Sequence, residues 1–483
     1  MAEQAIKSGV WVMSMNVFDR LLQMLLMVVL AVLLDPADFG LFGIALLGLS
    51  TIKRVSNLGL KDALIHEHEE DVDAFLNTAM TLRIFRGVII AVVLFVLAPF
   101  IGAFLDEPQS VDIIRVIAFS PLLIGFHNPG VVYFQKNLDF HKEFLYSVSG
   151  SLTKVVVGLV LAITFRNVWA LVLSYLAADL GRLITSYVAH DYRPRPSLNR
   201  DRAREMISYG KWITGSSIVY FLYSEGDDIV VATLLTPAAL GFYQLAYRLS
   251  NAPGTEVTEM IGDVAFPAFS QLQDDMDRLR EAFFQTLRLT TLISFPMAVG
   301  IAAVAPVFVR GFLGEQWVPM IPVMQILAGY GLLLSITATY GSVWRAVGRP
   351  DYGTKTGAIR VVLMFLFIVP VTTRWGITGT AALVVGLFAF PLFEIETYLL
   401  VKSLETTFFR VLRELVYPAV ASAVMGAAVV YADSQMALDP LAAEFALLIA
   451  LGGVIYAIGV AILELQFGWG IERQVRIVSD ALF

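Results

Sequence analysis

Leu33-Leu34-Asp35-Pro36-Ala37-Asp38-Phe39-Gly40-Leu41-Phe42 returns later in the chain as Leu234-Leu235-Thr236-Pro237-Ala238-Ala239-Leu240-Gly241-Phe242-Tyr243, from 33 to 234, an offset of 201. The repetition continues. Ala98-Pro99 through Phe104-Leu105-Asp106-Glu107 matches Ala305-Pro306 through Phe312-Leu313-Gly314-Glu315, and Asp139-Phe140 matches Asp351-Tyr352. From 139 to 351 the offset is 212, a drift that small insertions would cause. Internal repetition on this scale marks two copies of one structural unit.

What fills the copies is apolar. Of the 483 residues 57% are hydrophobic and 16% charged, against about 25% charged in a soluble domain. From Trp11 to Leu465 the apolar residues fall into blocks of roughly 20, each long enough to cross a ~30 Å hydrocarbon core. Spans are predicted at 8–34, 37–60, 75–105, 111–134, 143–165, 168–190, 212–235, 238–262, 282–311, 317–344, 355–373, 376–402, 411–432 and 441–465. Lipid offers the backbone no hydrogen bonds, and these runs are too long and continuous for barrel strands. The expected fold class is therefore an all-α membrane protein of about fourteen transmembrane helices. No small-residue cleavage site follows the first apolar stretch, so it reads as span 1 rather than as a removed signal peptide.

The basic residues give orientation. With the N-terminus inside, inner loops hold Lys61, Lys136, Lys142, Arg193, Arg195, Arg200, Arg202, Arg204, Arg278, Arg280, Arg345, Arg349, Lys402, Arg410, Arg473 and Arg476. Outer loops hold only Arg166, Arg310 and Arg374. Basic residues are retained on the cytoplasmic side, which predicts a multi-pass protein of the cytoplasmic membrane with both termini in the cytoplasm and an even number of spans. Each copy then starts inside and holds six spans, as parallel repeats about an axis along the membrane normal do. The expected organisation is an N-lobe at 1–190, a cytoplasmic basic linker at 191–206, a C-lobe at 207–402, and two further helices with a tail at 403–483. The linker reads as a topology-setting basic loop or as a hinge with an amphipathic segment near 200–207.

Particular fragments carry a resemblance. Asp227-Asp228-Ile229-Val230-Val231, followed by Leu235-Thr236-Pro237-Ala238-Ala239-Leu240-Gly241-Phe242-Tyr243-Gln244-Leu245-Ala246-Tyr247-Arg248-Leu249, resembles the polysaccharide-exporter family. So do Phe266-Pro267-Ala268-Phe269-Ser270-Gln271-Leu272-Gln273-Asp274-Asp275, Leu313-Gly314-Glu315-Gln316-Trp317 and Ala346-Val347-Gly348-Arg349-Pro350-Asp351. In order, over nearly the whole chain, they look like the Wzx-type O-antigen and colanic-acid flippases of the multidrug/oligosaccharidyl-lipid/polysaccharide superfamily. The resemblance implies a two-lobed fold with a central cavity, and a polyprenyl pyrophosphate carrying sugars as substrate. The family often has a Gly-Arg pair soon after the aspartate of span 7. Here that stretch reads Val231-Ala232-Thr233, so the arginine's role does not carry over.

A charge at mid-bilayer costs at least ~2.5–3.5 kcal/mol on insertion scales, so each one asks for a reason. Arg20 lies thirteen residues past Lys7, about 20 Å in. Lys154 is similarly deep in span 5, Arg248 sits near the middle of span 8, and Arg182 lies nearer the cytoplasmic end of span 6. These four are candidate cavity cations for a pyrophosphate, whose oxygens an arginine fork matches. The competing structural reading pairs Arg20 with Asp19, Arg248 with the acids of span 7, and Arg182 with Asp179 at i−3. Lys154 has no same-helix partner in reach.

Span 7 carries Glu225, Asp227 and Asp228, where span 1 has Met24, Leu26 and Met27. Three carboxylates this close do not all ionise cheaply in low dielectric, which calls for a proton or a bound cation. With Glu394 of span 12 they are the candidate ion-coupling residues, for H⁺ or Na⁺. The structural alternative for the three span 7 acids is a salt-bridge network with Arg248 or Arg288; for Glu394, close to the cytoplasmic end with Glu396, it is a simple interfacial position. Lys53, Arg54, Arg83 and Arg86 form a basic cytoplasmic rim, either snorkelling to headgroups or gathering an anionic lipid head.

The absence of cysteine removes disulfides, thiolate metal sites and cysteine nucleophiles. No Walker motif is present, and five scattered histidines have no metal-ligand spacing. No loop left between the spans is long enough to fold as a domain. The expected protein is a non-enzymatic transporter without a cofactor or a nucleic-acid partner. It flips lipid-linked oligosaccharide across the bilayer, alongside proteins of polysaccharide polymerisation and assembly. Two rivals stand beside it. A cation-coupled drug or metabolite antiporter of the same superfamily calls for an acidic, aromatic-lined cavity, which Arg20 and Lys154 oppose. The other is a scaffold or polymerase-like component of polysaccharide assembly.

Overall fold

A computed structural model of the chain describes residues 19–20, 22–56, 72–136, 139–197, 199, 220–436 and 440–469. Among these residues every regular element is a helix. The chain divides into two compact units, Met1–Gly241 and Phe242–Phe483.

The first unit contains α1 (Leu22–Leu33), α2 (Pro36–Val55), α3 (Val72–Phe104), α4 (Ser110–Ile117), α5 (Ser120–Gly125), α6 (Val132–Lys136), α7 (Phe140–Phe165) and α8 (Trp169–Val188). It ends with α9 (220–234) and the start of α10 (Pro237–Ser250). The second unit takes the rest of α10, then α11 (Thr258–Gln271), α12 (Met276–Phe308), α13 (Ile321–Ala346), α14 (Asp351–Leu387), α15 (Phe393–Ser403), α16 (Phe408–Gln435) and α17 (Leu441–Phe467). Predicted spans 1 and 7 begin outside the described residues, as do the proposed amphipathic segment near 200–207 and the tail beyond 469.

Nine helical segments among the described residues are long and apolar enough to cross a membrane, and they carry predicted spans 2, 3, 5, 6 and 9 to 14. Spans 11 and 12 run as a single helical trace from Asp351 to Ser403. At ~1.5 Å per residue α14 alone exceeds 50 Å, too long for one crossing. Gly376 divides it: φ 60° and ψ −152° are open to glycine and break the helical path within the predicted boundary.

Span 4 differs from expectation. Residues 111–134 form three short helices and a 3₁₀ turn rather than one rod. Pro121 opens α5 in its first turn, and Asn128 Oδ1 accepts from Gly130 N at 2.9 Å ahead of the Pro129 turn. Span 8 is likewise interrupted, by a π-turn at Pro253–Val257 between α10 and α11, where the proline supplies no N–H.

Packing within each unit follows apolar faces and small residues. In the first unit the repeat stretch is tightly seated. Gly40 lies against the backbone of Pro237, and Gly241 against that of Pro36. The Asp38 carboxylate accepts from Asp35 N at 3.2 Å and Val168 N at 2.9 Å, tying the α1–α2 turn to the start of α8. In the second unit Phe269, Phe283, Phe284, Tyr340 and Trp344 form a buried core, and a second cluster joins Val307, Met425, Val429 and Leu448. Arg288 forks onto Glu414 at 2.7 and 2.8 Å, and Trp469 Nε1 donates to the same carboxylate at 2.6 Å. Elsewhere apolar side chains point outward: Ile449, Val454, Ile458 and Ile462 of α17 are exposed, as a lipid-facing helix requires.

The first part of the linker is a fixed strap. Beyond Val188 the chain runs extended along α3. Tyr192 Oη and Arg195 N donate to Asn77 Oδ1, Ser197 N to Thr81 Oγ1, and Asn128 Nδ2 to Tyr192 O. His190 stacks on Tyr133 and accepts from Tyr192 N at 3.0 Å.

Candidate functional site

Lys53 in the last turn of α2 and Arg83 and Arg86, one helical turn apart on α3, line one pocket in the first unit. Its remaining wall is Gly87, Ile90, Pro121, Ile124 and Gly125. The break in span 4 makes this wall. Gly87 lies on the Pro121 carbonyl and Gly125 on the backbone of Arg83 and Ile84, so α5 and α3 touch through their main chains. That approach brings the Ile124 carbonyl of α5 to Arg83.

Each cation is held by neutral oxygen. Arg83 Nη2 donates to Ile124 O at 2.8 Å. Arg86 Nη2 donates to Lys53 O at 2.8 Å, and its Nε to Ser56 Oγ at 3.3 Å. Lys53 Nζ donates to Ser120 Oγ at 3.4 Å. These bonds use part of each head's donor set; a guanidinium carries five N–H donors and an ammonium three, so each keeps others. Among the described residues none of the three is ion-paired with a carboxylate. The pocket holds about 170 Å³, against about 10–15 Å³ needed for one water, so it admits a group of several heavy atoms.

Asp179 of α8 stands behind this pocket. Its Oδ2 accepts from the buried Ser120 hydroxyl at 2.7 Å, so Ser120 links it to Lys53. Lys53, Arg182 and Lys154 are its charged neighbours. His127, also buried, completes the layer, with Nε2 3.1 Å from the Asp179 carbonyl oxygen and Nδ1 3.0 Å from Tyr146 Oη. A carbonyl only accepts, so Nε2 carries the proton, and a neutral ring then satisfies both bonds.

The structure sorts the predicted residues. Of the rim, Lys53, Arg83 and Arg86 come together; Arg54 does not, and lies over the Tyr220 ring at 5.3 Å. Of the four cavity cations, Arg182 and Lys154 neighbour Asp179, with Arg182 lying across Gly150. Arg20 has an interacting neighbour, and Arg248 is on the exposed side of α10. In α9 Asp227 is buried while Glu225 and Asp228 are half-buried, and each has an interacting neighbour. Arg288, the alternative partner for those acids, is instead bound to Glu414. Glu394 lies in the first turn of α15, in the second unit.

Two features were not anticipated from the sequence. Ser120, His127 and Tyr146 join the polar layer behind the pocket, although nothing in their spacing links them. In the second unit Arg360 is 4% exposed, with its guanidinium 4.8 Å from the Tyr330 ring centroid and 4.7 Å from that of Phe388. Its place in an apolar run nine residues past Asp351 was the available signal.

Known proteins agree with this architecture. The profile of the family described as polysaccharide biosynthesis protein matches residues 29–322. The lipopolysaccharide biosynthesis protein WzxC of Escherichia coli (strain K12) is 28% identical over 390 residues, 80% of this chain and 78% of that one. The succinoglycan biosynthesis transport protein ExoT of Rhizobium meliloti (strain 1021) is 26% identical over 371 residues, 72% of this chain and 74% of that one. Among solved structures, the lipid II flippase MurJ in its inward closed conformation superposes with a TM-score of 0.74 at 14% identity, covering 94% of this chain and 98% of that one. The superposition shows the fold, and the profile, which matches more than half of the chain, shows that the chain belongs to the polysaccharide biosynthesis protein family.

Proposed function

We propose that the chain flips polyprenyl-pyrophosphate-linked oligosaccharide, an O-antigen or exopolysaccharide repeat unit, across the cytoplasmic membrane by alternating access of two six-helix lobes. The observation that carries this reading is the pocket of Lys53, Arg83 and Arg86, three cations held by neutral oxygens. A diphosphate leaving the headgroup layer must exchange its hydration for charge-assisted hydrogen bonds, and arginine forks with an ammonium supply them. Arg182 and Lys154 lie near enough to Asp179 to extend the positive field inward, while Arg20 and Arg248 complete the proposed path. The lipid tail stays in the bilayer, and both chain termini are cytoplasmic.

Coupling to H⁺ or Na⁺ belongs to this proposal, with Glu225, Asp227, Asp228 and Glu394 as the candidate acids. Charge-neutral replacement of the α9 acids is expected to abolish the dependence of flipping on an ion gradient.

The test is a reconstituted flipping assay with polyprenyl-pyrophosphate oligosaccharide. Lys53→Ala, Arg83→Ala, Arg86→Ala, Arg20→Ala and Lys154→Ala are compared with wild type. Loss of flipping in the pocket variants, with the protein folded, supports the reading. Wild-type rates in all three pocket variants would sink it.

A further inference from the structure

Lys53 points two ways. It borders the pocket, and through Ser120 it is joined to Asp179, a carboxylate 6% exposed inside the first unit. We infer that Asp179 is a built-in counter-ion that competes with the bound phosphate for Lys53, setting the pocket's affinity and allowing the ligand to leave. This rests on the reading that the pocket takes the diphosphate of a lipid-linked sugar.

The geometry supports competition rather than a plain ion pair. The Ser120 hydroxyl donates to Asp179 at 2.7 Å, so its oxygen is what accepts from Lys53 at 3.4 Å. That longer bond is the weak link of the chain. A phosphate oxygen in the pocket offers Lys53 a charged acceptor in place of a neutral hydroxyl, and charge-assisted bonds are roughly twice as strong. Asp179 need not be stranded when Lys53 turns away. Ser120 still donates to it, Arg182 of its own helix and Lys154 of α7 are its other charged neighbours, and His127 holds its backbone. Arg83 and Arg86 remain tied to carbonyls on the pocket side. An entering anion therefore meets two fixed cations and one contested cation.

A transporter needs this. Three uncontested cations in a poorly hydrated pocket would hold a diphosphate too firmly for release. A resident carboxylate weakens the bound state and takes Lys53 back as the ligand departs. Asp179 is thus a positioning residue and not itself a phosphate ligand.

The full chain in phosphatidylcholine nanodiscs is titrated with inorganic pyrophosphate and, in a second arm, with a polyprenyl pyrophosphate in the bilayer. A third arm uses phosphatidylglycerol nanodiscs, to see whether a phospholipid head occupies the same pocket. Removing the competing charge in Asp179→Asn or Asp179→Ser is expected to tighten binding about tenfold on the arm whose ligand the pocket takes. Asp179→Glu is expected to return it toward wild type. Flipping by the uncharged variants should show a lower half-saturating concentration together with a lower maximal rate, a split that a merely structural role does not give.

Folded uncharged variants that bind no tighter than wild type on any arm overturn the proposal while leaving the pocket reading intact. Failure of wild type itself to bind either pyrophosphate overturns both. If neither uncharged variant folds, difference infrared spectroscopy of wild type decides. A shift of a buried carboxylate band on pyrophosphate binding is expected, and an unchanged band overturns the proposal.

Discussion

Gly40 and Gly241 are seated reciprocally: each lies on the backbone of the proline that opens the other's helix, Gly40 on Pro237 and Gly241 on Pro36. These four residues are corresponding positions of the repeated stretch, so the same residue in each copy makes the same contact with the other. A Cβ on either glycine would overlap main-chain atoms, which cannot rotate away. Gly40→Ala and Gly241→Ala are each expected to cost about 1–3 kcal/mol, as overpacking does. Thermal unfolding in detergent checks this. Alanine at Gly262, whose surroundings leave room for a Cβ, is the control.

The pocket cations are expected to separate from Arg54, their neighbour outside the pocket. Lys53→Ala, Arg83→Ala and Arg86→Ala should each lower flipping at least about tenfold, the effect of one lost charge-assisted contact of ~1.5–3 kcal/mol. Arg54→Ala, which removes the cation–π contact with Tyr220, should leave flipping within about twofold. Equal losses at all four positions would return these residues to a diffuse headgroup role. Initial flipping rates in proteoliposomes at matched protein content provide the measurement.

In the second unit, Glu414 is 4% exposed and bound by Arg288 and Trp469. Glu414→Ala strands a guanidinium between α12 and α16 and is expected to cost about 3–5 kcal/mol. Replacing both partners in Arg288→Met/Glu414→Met should cost much less, since no charge is left unpaired. Trp469→Phe keeps the packing on Tyr417 and loses one hydrogen bond to a charged group, about 1.5–3 kcal/mol. Calorimetric midpoints of the four proteins test the order.

His190 lies past the end of α8, where burial, and then Lys142, push its ring below its ordinary pKa of 6.5. The folded chain therefore favours the neutral ring, whose Nδ1 accepts from Tyr192 N. Its contribution to stability is complete above about pH 6.5 and is lost as pH falls through the lowered folded value. Wild type is expected to lose more thermal stability than His190→Gln between pH 7.5 and pH 5.5. Equal losses would show that the strap does not sense this proton.

Asn77 receives two donors from the strap, Tyr192 Oη and Arg195 N. Asn77→Ala should cost about 0.5–1.5 kcal/mol per lost bond and raise hydrogen exchange at Arg195 more than within α3. Protection unchanged at Arg195 would show that Thr81, which accepts from Ser197 N, and Thr78, which accepts from Asn199 N at 3.4 Å, suffice to hold the segment.

The amino-acid order alone determined the helical class, the places where most helices begin and end, the repeated stretch and the family. These depend on hydropathy and short-range pattern, which act locally. Even the break near Gly376 was visible as a dip between two apolar runs. Only the tertiary structure decided which charges share a site. Lys53, Arg83 and Arg86 were legible as a basic group, but Arg54 looked like one of them. Adjacent positions on a helix point about 100° apart, and only the neighbouring helices determine which direction is the pocket. Asp179 reads in sequence as the i−3 partner of Arg182; its tie to Ser120 and Lys53 exists because span 4 is broken at Pro121. Arg360 hides in an apolar run for the same reason: depth follows from counting residues, but the rings against it, Tyr330 of the preceding helix and Phe388 beyond the Gly376 break, are brought to it only by packing.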